Sequence, residues 1–239
     1  DGALVLSKDM KKIMYANVLL TPDNNIPTNE TGTRHKAAER SAKMTGTLVI
    51  AVSERKNEIN LFYKNIKYNV INANELLRKT NEQIQLLEKQ RELFDSHVDK
   101  LTKGELQNYY NLNQAIQVIQ KGLLIQKISK DIQRFIVELG KEGTLLKTRL
   151  KELSFDVENE TNLTVKDYTK LDLKKSRNML NTLSYDEILD KTNIMKALAY
   201  ENQITEKNIR GWRILSRTIL TDSEIATIIK ESGTLGRAI

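Results

Sequence analysis

Residues 33–52 read TRHKAAERSAKMTGTLVIAV, and this stretch decides the class of the N-terminal fold. Thr33 to Met44 sets Ala37, Ala38, Ala42 and Met44 among charged residues, the spacing of a half-buried helix. Gly46 is placed to end that helix as a left-handed cap. Leu48 to Val52 follows as an uninterrupted apolar run of buried-strand type. Helix, glycine and strand in twenty residues specify an α/β layer. Before it, Ala3 to Leu6 and Ile13 to Leu20 read as two further strands. They lead into a turn-rich loop, residues 21–29, that holds both prolines of the chain. After it, Ile59, Leu61 and Tyr63 alternate with polar residues in the manner of a half-exposed strand.

From about residue 71 the period changes to that of helices. Leu76, Leu77, Ile84, Leu87, Phe94 and Val98 recur at helical spacing with charges between them. Gly104 breaks this pattern. Residues 106–128, 131–139 and 145–153 continue as helices, and their charged residues read as a solvated face. Residues 154–180 are polar, acidic first and basic afterwards, and read as a junction. Short helical segments follow from Ser184, with Thr221-Asp222 and Ser223-Glu224 as capping material for the last. The domains expected are 1–70, 71–169 and 170–239, an α/β part followed by an all-α part.

Composition narrows the chemistry. Of 239 residues, 39% are hydrophobic and 29% charged, and there is no cysteine, which excludes disulfides, thiolate metal sites and a cysteine nucleophile. No apolar run reaches the ~18–20 residues needed to cross a bilayer. A phosphate-binding P-loop and a G-x-G-x-x-G fingerprint are both absent. With only His35 and His97, a multi-histidine metal site cannot be assembled. The net charge of +7 favours phosphate-bearing partners. The excess lies at the two ends: 11 basic against 7 acidic residues in 1–70, 15 against 15 in 71–169, and 12 against 9 in 170–239.

The remaining candidates cluster near the start. Asp1-Gly2-Ala3 stands at the entrance of a strand. Gly32-Thr33-Arg34-His35-Lys36 opens a helix, where unpaired amides and the helix dipole add to the side-chain charges. Such a turn suits a triphosphate. These two segments resemble the DGA and RHR motifs of diadenylate cyclases. Asn17, Ile26-Pro27-Thr28, Glu30, Ala38-Glu39-Arg40 and Val49 to Ser53 are similar to the family's flanking sequence. The helical stretch, with Ile136 to Gly140 and Gly211 to Leu215, resembles the DisA branch of that family, so the likeness covers nearly the whole chain.

That resemblance implies a mixed-sheet nucleotide-binding cyclase domain present in part, a helical linker, and part of a helix-hairpin-helix domain. It also implies that both ends look cut relative to the family. The implied activity joins two ATP molecules into cyclic di-AMP with Mg²⁺ or Mn²⁺. Implied too are an octamer, branched DNA as a partner, no membrane and a cytoplasmic location. Carried over residue by residue, Asp1, Arg34 and His35 are catalytic, and Asp1 and His35 stand near the metal. Gly2, Leu20, Thr33, Arg34, His35, Lys36, Ala37 and Ser53 meet ATP. Arg210, Arg213 and Arg217, read as one helical face, are DNA-binding candidates. His97 receives no role. Three departures weaken nucleotide handling without touching the fold: Lys36 where the family has arginine, Ala37 where a hydroxyl is frequent, and Glu54 where basic residues are common. Two alternatives stand beside the cyclase: a non-specific DNA-binding protein whose nucleotide site is only a sensor, and a purely structural helical scaffold.

Overall fold

Why residues 33–53 settle as they do is visible in the computed structural model, which describes residues 2–54, 58–169, 171–198 and 209–238. Helix α1, Thr33–Thr45, ends at Gly46, whose φ of 66° suits glycine and whose amide donates to the Ala42 carbonyl. The chain then doubles back as strand β3, Leu48–Ser53. It pairs with β4, Glu58–Tyr63, and β4 with β5, Ile66–Val70, both antiparallel. Ala38, Ala42 and Phe62 close a small core between α1 and this sheet, with Val49 and Ala51 packed against it. Earlier, β1 (Ala3–Leu6) and β2 (Ile13–Val18) form a separate antiparallel hairpin. Every described strand pair is thus antiparallel, the part of the expected mixed sheet that these residues supply.

The alternation in β4 is real, but the side facing α1 is the other one. Asn60 and Phe62 are buried, while Ile59 and Tyr63 are exposed. Cross-strand register puts Leu48, Ile50 and Val52 on the same outer face as Ile59, Tyr63, Ile66 and Tyr68, all exposed.

The chain falls into two compact units, residues 1–76 and 77–239. Helix α2 spans Ala73–Leu106 and α3 spans Leu112–Leu139, capped by Asn111, whose side chain accepts from the Gln114 amide. Gly104, expected to break the helix, lies inside its last turn instead; the break falls at residues 107–111, so the helix expected from residue 106 starts only at Leu112. Then come a short 3-10 turn at Gly140–Gly143, α4 (Thr144–Ser154), α5 (Val157–Tyr168), α6 (Leu173–Thr182), α7 (Tyr185–Leu189) and α8 (Lys191–Ala197). The last helices are α9 (Trp212–Leu215), α10 (Asp222–Ser232) and α11 (Leu235–Ala238). Thr221 caps α10 in a reciprocal box with Glu224.

Helix α3 is the axis of the second unit. Ala115, Ile116, Val118, Ile119, Leu124 and Ile125 are all buried, and α2 contributes Ile84, Leu87, Phe94, Val98 and Leu101. Residues 154–180, read from their polarity as a junction, are part of this core instead. Thr161, Thr164 and Ser176 are buried, and each returns its hydroxyl to a carbonyl four residues back, at Val157, Glu160 and Asp172. Helix α5 approaches α3 so closely that a Cβ on Gly122 would lie 1.9 Å from Thr161 Oγ1.

Candidate nucleotide site and the buried arginine

Four of the expected site residues are consecutive on the first turn of α1: Thr33, Arg34, His35 and Lys36. Gly32 is the N-cap residue and offers no side-chain hydrogen bond, and no acidic residue lies in that turn. The first amides thus meet no capping side chain, in a turn whose formal charges are all basic. Thr33 and Arg34 are exposed, while His35, Lys36 and Ala37 are half-buried. His35 Nε2 is buried with no hydrogen-bond partner. Gly32 has an ordinary extended φ of −88°, and a Cβ there would meet only His35 Nδ1 at 3.8 Å. The chain itself does not require glycine at this position.

The loop before this turn is held from α1. Arg40 donates to the Ile26 carbonyl and to Asn24 Oδ1, both at 2.9 Å, and Lys43 donates to the Pro27 carbonyl at 2.8 Å. Thr28 donates to Glu39, which also pairs with Lys43 at 2.7 Å. Burial pushes the Glu39 carboxyl up, but these hydrogen bonds prevail and hold it below its ordinary value. Glu30 is in turn paired with Lys67. Sequence reasoning gave no positioning role to Glu39, Arg40 or Lys43; the signal was their recurrence every three to four residues behind the turn.

Ser53 reaches the same end of the layer by length. Thirteen helical residues rise about 20 Å, and six strand residues running back cover about 20 Å. Ser53 shares the face of β3 that carries Val49 and Ala51 toward α1. Gly2 and Leu20 belong to the β1–β2 hairpin. Leu20 is half-buried just past β2. Gly2 donates its amide to Asn17 Oδ1 at 2.9 Å, and a Cβ on it would strike the Asn17 backbone at 2.4 Å. Its glycine is therefore demanded by the chain itself. Asp1 lies outside the described residues, as does its placement beside the phosphate turn. Glu54 is exposed.

The three arginines read as a DNA-binding face require correction. Helix α9 covers only 212–215, so Arg210, before Gly211 (φ 96°), and Arg217, beyond the helix, do not share a helical face with Arg213. Arg213 is fully buried. It pairs with Glu105, and it donates to Glu160 at 2.7 Å and to Thr102 Oγ1 at 2.9 Å. Tyr168 donates to the other oxygen of Glu105 at 2.9 Å. Arg217 is partly exposed and pairs with Glu160 at 3.0 Å. Asp167 accepts the backbone amides of Trp212 and Arg213 at 2.7 and 2.8 Å. Its burial pushes the carboxyl up to about 7, against those two hydrogen bonds. Arg213 therefore fastens the start of α9 to α2 and α5 and is withdrawn from the DNA-binding set. Glu105 likewise departs from the solvated face expected of the charges in this region.

Comparison with known proteins agrees with this geometry. Residues 70–207 match the family described as the DisA bacterial checkpoint controller linker region, and residues 1–66 match the DisA bacterial checkpoint controller nucleotide-binding family. The chain belongs to the DisA family. Its relatives include the DNA integrity scanning protein DisA of Carboxydothermus hydrogenoformans, 39% identical over 91% of this chain and 64% of the relative. Those of Thermotoga petrophila and Clostridioides difficile are 40% and 38% identical over 90% and 91% of this chain, each covered to 63%. The chain thus spans just under two thirds of these DisA proteins. The basic turn of residues 33–36 lies inside the nucleotide-binding match, and α2 to α8 lie inside the linker match. The latter runs past residue 169, consistent with α5 and α6 being core. No described helix is long and apolar enough to cross a membrane.

Proposed function

We propose that this chain is the central part of a diadenylate cyclase that condenses two ATP into cyclic di-AMP and two pyrophosphates, coupled to sensing of DNA structure. The observation that carries the reading is the basic, uncapped first turn of α1 within the nucleotide-binding match. The backbone at its start and the side chains of Thr33, Arg34 and Lys36 form a receptor for a triphosphate, and Gly32 lets the phosphates approach the backbone.

In this reading two subunits face each other across a two-fold axis, each with one ATP. The 3′-hydroxyl of one nucleotide attacks the α-phosphorus of the other. A phosphodiester P–O bond forms, the bond to pyrophosphate breaks, and the hydroxyl proton passes to the Asp1 carboxylate. The same exchange in the opposite sense closes the ring. Arg34, His35 and Lys36 neutralise the charge that moves onto the pyrophosphate, and positioning supplies the rest. Mg²⁺ or Mn²⁺, held mainly by phosphate oxygens as such ions are, would neutralise further charge when bound. Of the described residues, the unpartnered His35 Nε2 fits its vicinity; Asp1, which the resemblance sets beside the metal, lies outside them. Leu20 meets the adenine through its backbone, and Ser53 adds a phosphate contact. Lys36 in place of arginine keeps charge but loses the planar fork.

The same reading assigns 1–70 to the cyclase domain, 71–169 and its continuation to the linker, and the last residues of 170–239 to the start of a DNA-binding module. Assembly into an octamer, restraint by branched DNA and a cytoplasmic location belong with it. The test is incubation of the full-length protein with ATP and Mg²⁺ or Mn²⁺. Cyclic di-AMP is expected, with Asp1→Asn abolishing synthesis while ATP still binds. Near-normal turnover in that variant removes Asp1 from the chemistry. Absence of any nucleotide binding overturns the whole reading.

A further inference from the structure

Helices α6 and α8 leave a groove between them. Thr169, just before α6, donates its hydroxyl to the Leu198 carbonyl, just past the end of α8, at 3.5 Å. At the opposite end Asn193, in the first turn of α8, donates its side-chain amide to the Glu187 carbonyl of α7 at 3.2 Å. Helix α7 begins three residues past the end of α6, so α6 and α8 run antiparallel. Lys175, Met179 and Thr182 lie on one stripe of α6, at i, i+4 and i+7. Asn193, Lys196 and Ala197 form a stripe of α8, at i, i+3 and i+4. Together with Leu171, Leu183 and Glu187 these two stripes line a single cavity of about 560 Å³. Sites for small molecules span about 300–1,000 Å³.

The groove is charged at one end and apolar along its floor. Lys175 stands in the first turn of α6 and Lys196 in the last turn of α8. Because the helices are antiparallel, both lysines fall at the same end. On the floor, Leu183 and Ala197 are half-buried and pack against the core of the helical unit, and Leu171 and Met179 extend this apolar surface. The carboxylates nearby are each engaged in capping a helix. Asp172 accepts the Lys174 and Lys175 amides at 3.0 and 3.3 Å, Glu187 the Ser184 amide at 2.6 Å, and Asp190 the Thr192 amide at 2.9 Å. Both lysines are exposed, and neither forms an ion pair among the described residues.

We propose that the α6–α8 groove binds a small amphiphilic carboxylate, its acyl chain on the apolar floor and its carboxylate between Lys175 and Lys196. A ligand charged throughout would leave the floor wet, and a neutral apolar one would leave both ammonium groups unused. An acyl carboxylate meets both demands: the chain displaces water from the floor, and the head accepts charge-assisted hydrogen bonds from two ammonium groups. The site is independent of the cyclase chemistry and lies on the helical unit alone.

Octanoate is the probe. The chain has five methionines, so isotope labelling of their methyl groups gives a sparse spectrum, and Met179→Leu identifies the signal from the groove. In the full chain, octanoate is expected to move the Met179 signal along a saturable curve while Met10, Met14 and Met44 stay in place. Acetate has the charge without the chain, and octanol the chain without the charge. Each is expected to bind at least about tenfold more weakly. Lys175→Gln/Lys196→Gln removes two exposed charges, should leave the helical circular dichroism unchanged, and should weaken octanoate by about tenfold or more. Absence of a saturable shift at Met179 overturns the proposal, as does an equal shift at Met10, Met14 and Met44. Octanol binding as tightly as octanoate, or octanoate affinity that survives in the double variant, overturns it too.

Discussion

Among the described residues, the first unit closes its core with three buried apolar residues, Ala38, Ala42 and Phe62, whereas the second closes its own with thirty. Each large buried side chain contributes about 1.5–3 kcal/mol, so the two units differ in stability reserve by far more than their lengths suggest. The difference extends to charge. In the first unit the basic groups of the phosphate turn stand at or near the surface. In the second a guanidinium and carboxylates are sealed inside. A nucleotide site needs donors turned outward, and a scaffold needs its buried charges paired. The two units divide these demands between them.

Substitution of Arg213 tests that division most severely. Arg213→Met strands Glu105 without its cation, leaves Glu160 only Arg217, and is expected to cost about 3–5 kcal/mol, measured by urea denaturation. The loss should shrink as pH falls and Glu105, whose carboxyl burial already pushes up, accepts a proton. Adding Glu105→Gln and Glu160→Gln should recover most of it; no recovery would mean the arginine acts through packing alone. Phe62→Ala comes next, at about 3 kcal/mol. In so thin a core it should also abolish ATP binding while leaving the helical circular dichroism of 77–239 in place. Retained ATP affinity would show that the first unit has reserves beyond its three-residue core. Gly122→Ala drives a methyl into Thr161 and should cost about 1–3 kcal/mol, with Thr161→Ala restoring much of it.

Asp167 sets a pH slope of its own. Its native value of about 7 lies above the ordinary 3.8, so between those values the folded chain keeps a proton that the unfolded chain has released. Stability should therefore fall as pH rises from about 4 to 7, by at most about 1.4 kcal/mol per pH unit, and this contribution should level off above. Asp167→Asn should remove the slope, at the cost of one amide bond to the Trp212–Arg213 backbone. A variant with the same slope would assign it to another group.

The sequence made legible whatever rests on short-range rules. The glycine that ends α1, the apolar run of β3, the capping box at Thr221 and the basic turn at 33–36 all follow from neighbours within four residues. What it hid depends on distance or on local self-satisfaction. Thr161, Thr164 and Ser176 look hydrophilic, yet each spends its hydroxyl on its own helix and can be buried, so a core helix read as a junction. Arg213 finds Glu160 and Glu105 53 and 108 positions away, which turns an apparent surface arginine into a buried one. In β4 the period was visible but its inward side was not, because Phe62 and Asn60 face α1 while the larger apolar set faces out. Of the nucleotide site, the turn was plain, whereas its bracing by Glu39, Arg40 and Lys43 emerged only once the preceding loop could be seen lying along the helix.

Asn17 adopts a φ of 58° within the irregular stretch of β2 opposite Gly2 and receives the Gly2 amide on its side chain. Positions 2 and 17 are therefore a single unit of heredity. A larger residue at 2 is barred by the backbone at 17, and a β-branched residue at 17 is barred by its own left-handed turn. Neither can change unless the other yields first, so the path along which the chain enters its first strand is fixed by mutual obstruction, whatever ligand lies beyond it.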